Sequence, residues 1–344
     1  MKPCRLGDPH NFNQYVELVS SSIGFRVKKP RTVFWEKTFL DSQSKFRLLL
    51  KNLRGGEGSN YLGDISYGLD NSAAYVAEDA FSSAISNNLL VHYGQLLAFV
   101  TVFGICDLHT ENVIYKTDYL QILDIECILF YAESPLDSLL LPNHSSKNNT
   151  KAIHWLFDGV SLHQYATILN SMHSEFIFLK SNANKILHFF SNELQELKTH
   201  PIRILLRSSN EYTKSFDKLE LKFPFIESER VQMSRNDIPY FFGFFGEKFV
   251  RWYDSVGHNE VVPLEHLQPC LQKIERSFRS FEELLSEERI DRVHKQSLIV
   301  SLSKMNFNEE SFDRVFNELR IYKSDSIIGI ESSQFNIQSK LLRG

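Results

Sequence analysis

Cysteine is scarce in this sequence. The four cysteines, at positions 4, 106, 127 and 270, include no CxxC pair. That spacing excludes a paired-thiol zinc cluster and a disulfide framework, and makes a reducing cytoplasm the expected compartment. Long apolar runs are missing as well: none reaches about 18 residues, and Met1 leads into a polar stretch, so neither membrane insertion nor a signal peptide is expected. The net charge of −4 gives no basic field for nucleic acid or an anionic membrane. No Pro- or Gly-rich linker and no internal repeat divides the 344 residues, a length that suits a two-lobed body. Phenylalanine, by contrast, is abundant at 28, which predicts an aromatic-rich core.

The stretch with the most chemistry is Gly104-Ile105-Cys106-Asp107-Leu108-His109-Thr110-Glu111-Asn112, answered by Leu123-Asp124-Ile125-Glu126. A polar turn (Lys116 to Asp118) and an apolar run (Tyr119 to Leu123) lie between them, which reads as loop, hairpin and strand ending in a carboxylate. Phosphoryl transfer needs such a set. An Asp accepts the proton of the attacking hydroxyl, and an Asn five residues later joins a second Asp in holding the Mg²⁺ that bridges ATP phosphates. Asp107, Asn112 and Asp124 fit these roles, while His109 could orient the base. Glu126 falls on the same strand face as Asp124 and could share the metal. The plainer alternative is a buried loop whose Asp and Asn cap turns.

Upstream, Tyr15 to Val19 and Gly24 to Val27 read as two strands joined by a Ser-rich turn, and Glu36 to Leu53 as one amphipathic helix. Lys28 and Lys29 close the second strand, the layout of a strand lysine facing ATP phosphates, with Glu36 as a possible partner; an ordinary basic turn is the alternative. Gly55-Gly56-Glu57-Gly58 lacks the Walker spacing and reads as a connector. Asn71 to Phe103 reads as one or two helices, Leu89 to Phe103 being the buried one. Pro142 to Thr150 reads as a surface loop and residues 161–199 as mostly helical. Arg203 to Leu206 starts a strand or helix, and Gly246 to Val262 a hairpin region. Leu264 to Arg320 reads as strongly helical, its charge run from Phe281 to Arg292 forming solvated faces. Arg203 and Arg207 with Ser209 suit an anion held by charge-assisted bonds, although two arginines on a solvated face give the same pattern.

Taken in order, Gly7-Asp8-Pro9-His10, Lys29-Pro30-Arg31, Asp107 to Asn112, Leu123 to Glu126, Arg203 to Tyr212 and Asp237 to Phe241 resemble the dehydratase domain of class II lanthipeptide synthetases (LanM). The resemblance implies an α+β fold with a two-lobed, lipid-kinase-like core and a helical C-terminal region. Residues 1–90 would form the first lobe and 91–344 the second. It implies phosphorylation of Ser and Thr on a precursor peptide by Mg-ATP, then phosphate elimination to dehydroalanine or dehydrobutyrine. Lys29 resembles the ATP-contacting lysine and Asp107 the catalytic aspartate. Asn112 and Asp124 resemble the metal pair, assisted by His109 and Glu126. Arg203 and Ser209 stand where the family keeps an Arg and a Thr for elimination, with Arg207 beside them, and Asp8 and His10 belong to the same implied site. Ser209 departs from the usual Thr and Ser208 from the usual Pro. With no Cys-rich zinc cluster for thioether formation, the expected partners are a leader-bearing precursor and a separate lanthionine cyclase or an N-terminal subunit. Two alternatives remain open: a kinase of the aminoglycoside-phosphotransferase type, and a non-catalytic partner subunit.

Overall fold

The computed structural model describes residues 17–21, 24–28, 32–56, 60–63, 65–67, 72–75, 85–109, 112–125, 127–141, 160–207, 211–212, 225–234, 239–247, 249–254, 258–277, 279–303, 311–316, 319–324 and 327–340. It is a mixed α and β structure whose sheets are small and antiparallel.

The chain opens with β1 (Glu17–Ser21) and β2 (Gly24–Lys28), paired antiparallel. The expected strand pair is present, but Ser20 and Ser21 belong to β1 rather than to the turn. The single helix expected over residues 36–53 is two helices, α1 (Phe34–Leu40) and α2 (Lys45–Leu53). Asp41 makes the break: its carboxylate accepts from Gln43 N at 2.8 Å and Tyr67 N at 3.3 Å, an alternative to the helical ladder. Ser44 then caps α2 by accepting from Arg47 N at 3.1 Å. Gly55 and Gly56 close α2 in left-handed conformation. Next come β3 (Ser66–Tyr67) and β4 (Ser72–Tyr75), which complete a sheet of order β1-β2-β4-β3. Residues 72–75 are therefore strand where the sequence suggested helix; as strand, their backbone pairs with β2 and β3.

α3 (Asn87–Phe103) is the central element. It is buried on nearly all sides, as its apolar composition requires. Its main neighbour is α4 (Leu162–Ser181), whose N-terminus carries a capping box of Ser161 and Gln164. Gly94 sets how closely the two helices approach, since a Cβ there would lie 2.0 Å from Ser171 Oγ and 2.3 Å from Ile168 O. The predicted aromatic core surrounds them: Phe39, Phe46, Phe99, Phe103 and Phe190 are in mutual ring contact at 4.7 to 6.3 Å. No helix among the described residues is long and apolar enough to cross a membrane.

After α3 come the hairpin β5 (Val113–Tyr115) and β6 (Leu120–Ile122), then α4 and α5 (Ala183–Asn192). β7 (Pro201–Ile204) follows and pairs with β8 (Phe241–Phe244) across α6 (Glu227–Met233). β9 (Arg251–Tyr253) and β10 (Asn259–Val261) finish that sheet as the expected hairpin, around a second core of Ile204, Phe241, Val250 and Leu267. α7 (Glu287–Ser303) is helical as read. Beyond it, however, lie β11 (Phe312–Val315), β12 (Leu319–Lys323), β13 (Ile327–Ser332) and β14 (Asn336–Lys340), one antiparallel sheet. The helical reading up to Arg320 is thus corrected. Leu319 and Ile321 alternate with polar residues and sink into the main core, a strand's pattern.

α4 and α7 meet at a buried histidine pair, His173 Nδ1 and His294 Nε2, 3.0 Å apart, with Phe335 edge-on to both rings. Burial, then the neighbouring His173 and Lys180, lowers the His294 pKa to about 3. The neutral ring is what the fold accommodates, so the unfolded chain binds the extra proton. Stability from this group is complete above the unfolded value near 6.5 and is lost as pH falls toward 3. Urea titrations between pH 6.5 and 5 should therefore show unfolding free energy dropping by up to about 1.4 kcal/mol per unit from this site. His294→Phe should flatten that slope; an unchanged slope would mean the pair does not govern it.

Candidate active site

Gly104 ends α3 with φ 61°, and its missing side chain is required: a Cβ would lie 1.9 Å from Phe130 O. The chain then runs without regular secondary structure from Ile105 to His109, held on both sides. Cys106 N donates to Cys127 O at 3.0 Å, Leu108 N to Ser138 O at 3.0 Å, and Phe130 N to Gly104 O at 3.1 Å. Between these anchors Asp107 adopts φ 64°, a left-handed backbone that Asp tolerates better than most residues. Such local strain persists only where its surroundings over-determine it.

Asn112 fastens the far end of the loop. Its Nδ2 donates to Asp107 O at 2.7 Å and lies 3.4 Å from His109 Nε2, while its N–H donates to His109 O at 2.9 Å. With Nδ2 so committed, Oδ1 is the atom Asn112 offers to a cation. His109 Nε2 is 4.0 Å from Asp107 Oδ1, and both side chains keep partial solvent access. In the hairpin Val113 faces Ile122, and a further bond from Leu123 N to Asn112 O, 2.8 Å, carries the ladder to its mouth. Asp124 is the next residue and is buried. Asp107, His109, Asn112 and Asp124 thus gather at one end of the hairpin, whose other end is tied to α3 by Ser86 Oγ donating to Asp118 Oδ1 at 2.9 Å.

β7 adds Arg203, whose guanidinium lies 5.3 Å from the centre of the Tyr240 ring. Its charge acts on Cys127, the residue whose carbonyl anchors Cys106. The Cys127 thiol is pushed well up, first by its hydrogen bond with Cys106 and then by burial; Asp107 acts in the same direction and Arg203 against it. Arg207 sits in a different cluster: its Nε donates to Glu229 Oε1 at 2.8 Å, Tyr212 donates to the same oxygen at 2.7 Å, and Ile226 N to Oε2 at 2.9 Å. Asp8, His10, Lys29, Ser209 and Glu126 lie outside the described residues. Glu36, the suggested partner of Lys29, is fully buried on α1.

Two supporting features are invisible to motif reading. Arg289 belongs to the charge run read as solvated, yet it is only 2% exposed. Its guanidinium donates to the carbonyls of Thr101, Val102, Leu284 and Ala132 at 2.8 to 3.1 Å, capping the last turn of α3 directly before the loop. Burial lowers its pKa to about 10. The second feature is the thiol pair Cys106 and Cys127, which no spacing rule connects. A separate cavity of about 430 Å³, lined by Phe34, Lys37, Lys45, Glu193 and His200 among others, includes none of the loop residues.

A family model described as a domain of unknown function, DUF4135, matches residues 3–161. The match includes the loop and hairpin and spans somewhat under half of the 344 residues. No curated protein gives a significant match.

Among the described residues no three or more His, Cys, Asp and Glu side chains are grouped to hold a metal. Mg²⁺ does not need such a group, because it takes one or two carboxylates together with substrate phosphates and waters. The hard oxygen donors of Asp124 and Asn112 fit it; the thiols do not.

Proposed function

We propose that this protein is a kinase-like enzyme that phosphorylates Ser and Thr hydroxyls of a peptide with Mg-ATP and then eliminates the phosphate. This is the activity of a class II lanthipeptide synthetase dehydratase. The observation that carries the reading is the gathering of Asp107, His109, Asn112 and Asp124 at the hairpin mouth, with the Asp107 carbonyl clamped by the Asn112 amide at 2.7 Å. The matched domain family, which is found in lanthipeptide synthetase (LanM-like) proteins, supports it independently.

In this reading Asp107 accepts the proton of the attacking hydroxyl as the hydroxyl oxygen bonds to the γ-phosphorus and the bond to the β-phosphate oxygen breaks, releasing ADP. Its carboxylate is partly exposed, as a base meeting a macromolecular substrate must be. His109 restricts where that carboxylate points. Asn112 and Asp124 would hold Mg²⁺, which neutralises charge on the ATP phosphates when bound. Lys29 takes the role of the phosphate-contacting cation. Elimination passes the Cα proton to a site carboxylate or water, forms the Cα=Cβ bond as the Cβ–O bond breaks, and expels phosphate dianion, so a fixed cation at the leaving group lowers the barrier. Arg203, on β7, takes that role. Arg207 is clamped by Glu229.

The two half-reactions separate by mutation. Arg203→Ala should slow elimination about 10²–10³-fold while phosphorylation continues, so phosphopeptide accumulates in mass spectra. Arg203→Lys, which keeps the charge, should recover part of the loss. Equal loss of phosphorylation and elimination would assign Arg203 to the fold instead.

A further inference from the structure

Cys106 directly precedes Asp107, and Cys127 follows Asp124 by three residues. The Cys106 N–H donates to Cys127 O at 3.0 Å, which sets the two residues side by side, and both thiols are free. A disulfide needs Cα atoms roughly 4.4–6.8 Å apart, which only directly neighbouring backbones such as these provide. Cys127 is 2% exposed whereas Cys106 is only half-buried, so a dissolved oxidant reaches Cys106 first.

We propose that Cys106 and Cys127 are an oxidation site at which hydrogen peroxide forms an intramolecular disulfide, locking the Asp107 loop to the segment that follows Asp124. The Cys106 sulfur attacks peroxide, the O–O bond breaks, and sulfenic acid and one water result. The Cys127 sulfur then attacks the sulfenic sulfur; the S–O bond breaks, a second water leaves and the S–S bond forms. Two thiols lose two electrons and two protons, and peroxide is reduced to two waters. Closure brings the sulfurs to about 2.05 Å. Asp107, already at φ 64°, is the next residue and has little backbone freedom to absorb that shift, so its carboxylate moves. The effect on nucleotide rests on the proposed function; the disulfide does not.

The experiment uses the full chain, reduced and then treated with hydrogen peroxide. Intact mass should fall by two hydrogens, and non-reducing peptide maps should join the segments containing Cys106 and Cys127, with reversal by dithiothreitol. Cys106→Ser should abolish the bridge. Cys127→Ala should leave Cys106 as a sulfenic acid that dimedone traps; if that variant does not fold, the Cys106→Ser map decides alone. The oxidised chain should bind Mg-ATP about tenfold more weakly than the reduced one. Sulfinic acid on Cys106 without a bridge, or a bridge through Cys4 or Cys270, would overturn the site. A bridged chain that binds Mg-ATP as tightly as the reduced chain would overturn the locking. If the reduced chain binds no Mg-ATP, the proposed function fails, and mass and map still decide the thiol pair.

Discussion

Asp107→Asn leaves the protein folded and lowers ATP-dependent peptide modification about 10²–10⁴-fold, the range lost when a general base is removed. The substitution suits the site because the backbone there is left-handed, φ 64°, and Asn accepts that conformation as readily as Asp. The Asn112 clamp holds the residue 107 carbonyl rather than its carboxylate, so it survives the change. Only the proton acceptor is lost. Asp107→Ala would confuse the result, because Ala tolerates a positive φ less well. Circular dichroism and the thermal midpoint should match the parent while product formation, followed by mass spectrometry, collapses. A variant retaining full activity would exclude Asp107 as the base.

The largest effect on stability belongs to a charge that supports the scaffold rather than the chemistry. Glu175 is fully buried on α4 and accepts from Arg54 at both oxygens and from Tyr61 Oη at 2.8 Å. Burial raises its pKa, and Arg54 opposes that shift. Arg54 also lies 3.8 Å from the centre of the Phe178 ring, so its guanidinium is enclosed between α2 and α4. Removing the carboxylate strands a guanidinium and a phenol away from water. Glu175→Ala should therefore lose about 3–5 kcal/mol of unfolding free energy. Replacing both partners, Arg54→Met with Glu175→Leu, should recover much of it, because two apolar groups leave no charge unsolvated. Denaturant titration of the two single variants and the double variant tests this. A single-variant loss below about 1 kcal/mol would mean that water reaches the pair.

How far the sequence revealed the structure depended on how local the determining interaction was. The loop and hairpin are readable because Asp107, Asn112 and Asp124 lie within eighteen residues and the turn residues mark the reversal. The break between α1 and α2 was concealed because Phe39 and Phe46 keep one helical spacing on both sides of it. The Tyr67 N–H, remote in sequence, joins the local Gln43 N–H in holding the Asp41 carboxylate at the break. Arg289 was read as solvated because a charged residue in a charged run is usually exposed. Its burial is specified by carbonyls at 101, 102, 132 and 284, which the fold alone brings together. The pairing of the Cys106 backbone with Cys127 is likewise tertiary, since twenty-one sequence positions separate them.

The most direct test of the account is mass spectrometry of a Ser/Thr-containing precursor peptide incubated with the purified chain and Mg-ATP, with Arg203→Ala alongside. The account predicts loss of one water per modified residue with the parent chain, and gain of phosphate at the same residues with the variant. An unmodified peptide, from a chain that also binds no Mg-ATP, would contradict it.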